Sequence, residues 1–69
     1  VKFRFLIFAT FDKSVYAGFH GLLNAERYAE QGSKGWHGKV LVLDSQKRQV
    51  LLAAQSGKVS FTPSDPYPI

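Results

Sequence analysis

Only one stretch of this chain, residues 19 to 32, carries the apolar spacing of an amphipathic helix, and the rest reads as strands and turns. That single helix restricts the chain to a small α+β arrangement in which one helix lies on one sheet. On a helical wheel Leu22, Ala25 and Ala29 form a narrow stripe, with Leu23 and Tyr28 on its shoulders and Asn24, Arg27 and Gln31 opposite. A stripe of mostly small residues lets a helix lie close to a sheet. Gly32 is expected to stop the helix in a left-handed conformation, and Lys34 suits the negative end of its dipole.

Before the helix, residues 3 to 11 are rich in β-formers and place Phe3, Phe5, Ile7, Ala9 and Phe11 on one face. Lys2, Arg4, Leu6, Phe8 and Thr10 fall on the other. Asp12, Lys13 and Ser14 suit a tight turn, from which residues 15 to 19 return antiparallel and pair Phe11 with Val15, Ala9 with Ala17 and Ile7 with Phe19. A helix extended back to Ser14 competes with this hairpin. It would hold Gly18 and Gly21 inside it at about 1 kcal/mol each relative to Ala, so the hairpin is preferred. The basic start and apolar middle of residues 1 to 10 also fit a signal peptide, but their alternation, and the core that cleavage would remove, favour a strand.

After the helix, residues 39 to 44 and residues 49 to 55 read as a second hairpin around the polar tip Ser45-Gln46-Lys47-Arg48. Symmetric pairing puts Leu41, Leu43, Val50, Leu52 and Ala54 on one face, assigned to the helix side, and Val40, Val42, Leu51 and Ala53 on the other. Ser56 and Gly57 make a further turn into a short alternating piece, Val59-Ser60-Phe61, and Pro63, Pro66 and Pro68 then prevent regular pairing. The expected fold is an antiparallel α+β domain over residues 1 to 62 in the order ββαββ, with βαβββ as the alternative. Residues 63 to 69 form a proline-rich tail.

One helix covers one face of such a sheet, and here both faces are apolar. Leu6, Phe8, Tyr16, Val40, Val42, Leu51 and Ala53 are assigned to the face away from the helix, ringed by Lys2, Arg4 and Thr10. In a chain of 69 residues, which buries only about 60% of its unfolded surface, covering that face matters. The tail can fold back with Phe61 or Tyr67 over it, a second copy can pack sheet on sheet as a homodimer, or another macromolecule can dock. The absence of Cys removes disulfides and thiolate metal sites, and is compatible with a reducing, cytoplasmic compartment. No apolar run is long enough to cross a bilayer, so no membrane partner is expected. A net charge of +4 mildly favours an acidic partner.

Chemical constellations are sparse. Gly32, Gly35 and Gly38 follow a helix rather than precede one, so the dipole has the wrong sign for a phosphate loop. Gly18-Phe19-His20-Gly21 has the letters of the KH-domain GXXG loop but lacks its basic residues and its flanking helices. Val1-Lys2-Phe3-Arg4-Phe5-Leu6-Ile7-Phe8 resembles the aromatic strand of RNA-recognition motifs. The resemblance covers this strand alone, and Lys2 and Arg4 stand where that family has small residues. It implies base stacking on exposed rings, although Phe3 and Phe5 read better as core. His20 and His37 lack further ligands, so no metal or cofactor is expected. Asp12, Ser14 and His20 supply the letters of a nucleophilic triad, but the first two are turn residues and no enclosed pocket is in prospect. No catalytic residue is assigned and the chain is read as a non-enzyme.

The functional expectation is a non-catalytic interaction module for a protein partner. Leu6, Phe8, Tyr16 and Val42 are its candidate contacts, with Trp36, a residue type enriched among interface anchors, and the basic tip Lys47 and Arg48 as secondary ones. The alternative is single-stranded nucleic-acid binding, with Phe8 and Tyr16 stacking and Lys2, Arg4 and Lys39 on phosphates. The strand-helix-strand layout resembles small phage-encoded inhibitors that bind a host enzyme, a likeness of layout that carries no residue across.

Overall fold

The computed structural model describes residues 3–35, 38–61 and 63–69. One short turn builds the first hairpin. Asp12 accepts the Ser14 N–H on its Oδ1 at 3.2 Å and Lys13 takes φ 58°, which reverses the chain between β1 (Phe5–Ala9) and β2 (Ser14–Phe19). The expected hairpin is present, and residues 14 to 19 are strand rather than helix. Away from the turn its register runs two residues from the expected one, Phe5 facing Phe19 and Ile7 facing Ala17, and beside the turn it runs three, Val15 facing Phe8 instead of Phe11. A shift of two preserves the face, so Ala17 and Phe19 still join Phe5 and Ile7.

Helix α1 spans Leu22–Gly35, three residues beyond its expected stop and three short of its expected start. Gly32 is helical because the small stripe continues: Ala25, Ala29 and Ser33, four residues apart, are all buried. Leu22, expected on that stripe, is 41% exposed, and Leu23 and Tyr28 are exposed as well.

Strands β3 (Val40–Asp44), β4 (Gln49–Gln55) and β5 (Lys58–Ser60) complete an antiparallel sheet in the order β2-β1-β3-β4-β5. This is the expected ββαββ order with a short fifth strand after it. Asp44 holds the β3–β4 turn, accepting the N–H groups of Gln46 at 3.0 Å and Lys47 at 3.2 Å. Ser45 ties that end to the start of β1 by donating its N–H and its hydroxyl to the Arg4 carbonyl.

Two layers cover the sheet. Under α1 lie Phe5, Ile7, Val40, Val42, Leu52 and Ala54. On the opposite face Leu6, Phe8, Leu41, Leu43 and Ala53 cluster with Val50 and Tyr67. The expected faces of β3 are therefore inverted: Val40 and Val42 lie beneath the helix, while Leu41 and Leu43 lie on the far side. Leu51 is also reassigned to the helix side. The cause is a bulge. Val42 faces Leu52 but Leu43 faces Val50, so Leu51 is an extra residue that reverses the alternation of β4. A second bulge makes Tyr16 the extra residue between Val15, opposite Phe8, and Ala17, opposite Ile7.

The aromatic ends of β1 also differ from expectation. Phe3, expected among the core residues beside Phe5, is 36% exposed and packs its ring against the backbone of Gly18, opposite Leu6 in the ladder. Phe11 lies in the turn and is exposed, edge-on to Tyr16 with ring centroids 6.1 Å apart.

Candidate functional site

The face away from α1 is roofed by residues 63 to 69, which have no regular structure and, among the described residues, no backbone hydrogen bond to the sheet. Side chains hold this segment. At one end the Lys39 ammonium lies 3.3 Å from the Asp65 carboxylate. In the middle Tyr67 packs on the cluster of Leu6, Phe8, Leu41, Leu43 and Ala53. At the other end Arg48 sits over the Tyr67 ring, 5.5 Å from its centroid, and donates to the Ile69 backbone oxygen at 3.3 Å. Three prolines limit the conformations this segment can adopt.

The roof does not seal. A groove runs between the sheet and the segment, floored by the buried Phe8 and Leu41 and walled by Val15 on one side and by Pro66, Pro68 and Ile69 on the other. Val15 at 45% and Ile69 at 56% exposed leave its mouth apolar. Lys13 borders it. The Tyr16 hydroxyl donates to Asp12 Oδ2. That hydrogen bond, with smaller contributions from burial and the carboxylate charge, raises its pKa above the usual phenol value.

The sequence-assigned contacts divide accordingly. Leu6 and Phe8 are on the expected face but buried, because the segment and Tyr67 cover them. Val42 is fully buried under the helix and cannot form a contact surface there. Tyr16 is 41% exposed on the edge strand, and Lys47 and Arg48 are exposed at the β3–β4 tip. Trp36 and Lys2 lie outside the described residues, as does His37. Of the cations assigned to phosphates, Arg4 pairs with Asp44 at 3.3 Å and lies over the Phe5 ring, while Lys39 is held by Asp65. Phe8 is buried, so among the described residues no exposed face joins these cations to both assigned stacking rings. Of the two aromatics offered as a cover for this face, Tyr67 takes the place and Phe61 is 62% exposed.

The letters of a triad do not meet: Ser14 opens β2 beside Asp12, and His20 lies past its other end, with its ring 4.9 Å from that of Phe3. Among the described residues no three His, Cys, Asp or Glu gather as a metal site. Sequence reasoning missed Val15 and Asp65 as parts of one groove, and the Lys39–Asp65 pair that holds its outer wall. Only the lone acidic residue among the tail prolines, matched to a lysine at the entry of β3, could have signalled the pairing.

Fold and groove together define a small α+β domain whose second sheet face carries an extended segment of its own chain. No family model, curated protein or solved structure matches this chain. Among the described residues no helix is long and apolar enough to cross a membrane.

Proposed function

We propose that this chain is a non-catalytic interaction module that binds a protein partner along the groove between the β1–β2 hairpin and residues 63 to 69. The observation that supports this reading is the apolar mouth of that groove. Val15 and Ile69 stand exposed above the buried Phe8 and Leu41, with Lys13 at the rim. Binding would bury this apolar surface, and Lys13 at the rim would steer an acidic group of the partner.

Selection of random displayed peptides on the immobilised chain tests the reading, with the contact mapped by amide chemical shifts. Enriched peptides should move the amides of Phe8, Val15 and Leu41, and Val15→Lys should abolish their binding without changing the circular dichroism spectrum. If selection yields no binder at this groove, the proposal fails. The nucleic-acid alternative draws no support from the geometry, since Arg4 and Lys39 are each paired with a carboxylate and Phe8 is buried.

A further inference from the structure

Residues 63 to 69 occupy the sheet face in the manner of a ligand. The segment adds no strand to the sheet and, among the described residues, no backbone hydrogen bond to it. Its attachment is a set of side-chain contacts at fixed spacing. Asp65 meets Lys39, Tyr67 enters the apolar cluster two residues later, and Arg48 meets both the Tyr67 ring and the Ile69 backbone oxygen. The two cations stand at opposite ends of the apolar patch, so the face reads an acidic group and an aromatic ring in order along an extended chain. Proline between them keeps that chain extended and lowers the entropy lost on docking.

We propose, resting on the interaction reading above but placing the contact on the face beneath residues 63 to 69 rather than in the groove they wall, that the physiological ligand is an extended segment of a partner protein with the same chemistry. It carries an acidic residue, then a proline, then a tyrosine or similar ring, and residues 63 to 69 are the competitor in cis that it displaces. Lys39 selects the carboxylate, the surface of Leu6, Phe8 and Leu41 selects the ring, and Arg48 holds the backbone beyond it. A cis segment competes at an effective concentration on the order of millimolar, so the partner gains access only by matching these contacts or by exceeding that concentration. The apparent affinity falls by the fraction of time the face is free.

The test uses the 69-residue chain and a capped, fluorescent peptide with the sequence of residues 64 to 69. Tyr67→Ser and the double substitution Asp65→Lys with Tyr67→Ser weaken the cis segment. The peptide is expected to bind these variants at least about tenfold more tightly than the unsubstituted chain, shifting the amides of Leu6, Phe8 and Leu41. Adding Lys39→Glu to the Tyr67→Ser variant should weaken binding, and a peptide with Lys in place of its Asp should restore it. If a weakened variant unfolds, the unsubstituted chain still decides the matter. Excess peptide should move the amides of residues 64 to 69 to the positions of a free chain.

Absence of binding to a folded, weakened variant overturns the inference, as does equal binding to all variants. Sedimentation of the Tyr67→Ser variant as a dimer, with no uptake of peptide, would give the face to a second copy and also overturn it. Random-peptide selection separates the two proposals. Groove binders without the acid-proline-ring pattern would refute this inference and leave the interaction reading intact, whereas no binder at all would refute both.

Discussion

The Gly57 N–H donates to the Ser33 hydroxyl oxygen at 2.9 Å, joining the β4–β5 turn to a buried serine two residues before the helix ends. The same hydroxyl donates to the Glu30 carbonyl at 2.9 Å, so both of its hydrogen-bonding functions are used. Gly57 has φ +81°, and a Cβ there would come within 2.9 Å of the Lys34 side chain. The turn is thus fixed against the helix by a hydrogen bond and by close contact.

Ser33→Ala should therefore destabilise the chain, although alanine is the better helix former. The lost acceptor leaves the Gly57 N–H without its partner, a cost of about 1–2 kcal/mol, against a propensity gain of roughly 0.5 kcal/mol. A net loss of about 1 kcal/mol in chemical denaturation, with faster hydrogen exchange at Gly57, is expected. Unchanged exchange at Gly57 would show that the bond does not hold the turn.

Asp44 gives the acid sensitivity. Burial alone would raise its pKa, but hydrogen bonds from the Lys47 N–H, the Arg4 guanidinium and the Gln46 N–H, with the charge of Arg4, outweigh burial and hold it below the usual carboxylate value. A depressed folded pKa means that its contribution is fully present above the unfolded value of 3.8 and is lost as pH falls through the folded one. Asp44→Asn keeps an oxygen for the two turn N–H groups and removes the titration. The variant should be less stable at neutral pH, and the gap should shrink as pH is lowered below about 4. Denaturation series at several pH values measure this, and a gap independent of pH would refute it.

Gly18 and Phe3 form a third testable pair. A Cβ at Gly18 would lie 2.8 Å from Phe3 Cβ and 2.6 Å from its Cγ, atoms too near the backbone to swing aside. Gly18→Ala should cost about 1–3 kcal/mol, the range for overpacking. In a Phe3→Ala background the same change should be neutral or stabilising by up to about 1 kcal/mol, because glycine weakens a strand. A double-mutant cycle with no coupling would mean that Phe3 does not rest on Gly18.

These features show what was legible in the chain. Asp12 with Ser14, and Ser56 with Gly57, announce their turns by residue type, and the Ala25-Ala29 stripe announces the helix face. Alternation fixed the inward side of β1 because Arg4 and Thr10 flank it with polar residues. It carried no such information in β3 and β4, where residues 40 to 43 and 50 to 54 are apolar throughout and a strand buried on both faces has no period to read. The bulges at Tyr16 and Leu51 add one residue without any Gly or Pro to mark it, so the inverted face of β3 was beyond the pattern. The groove depends on Lys39 meeting Asp65, 26 positions away. Neither residue is unusual where it stands.

Magnitudes decide which contact holds the segment over the sheet. Lys39 and Asp65 are both partly exposed, and such a pair contributes about 0.2–1 kcal/mol, less in salt. Tyr67 is half-buried, so it removes on the order of 80 Å² from water and contributes about 2 kcal/mol at 25 cal/mol per Å². Tyr67 is therefore the largest favourable contribution to docking. Sodium chloride at about 1 M, which shortens the screening length to roughly 3 Å, should therefore leave the segment docked. Tyr67→Ser should release it, baring Leu6, Phe8 and Leu41 to an apolar dye, while Asp65→Asn has a smaller effect and Ile69→Ser almost none. Dye fluorescence and the amide shifts of residues 64 to 69 read both responses. Release by salt in the unsubstituted chain would reverse the ranking and make the Lys39–Asp65 pair the principal clasp.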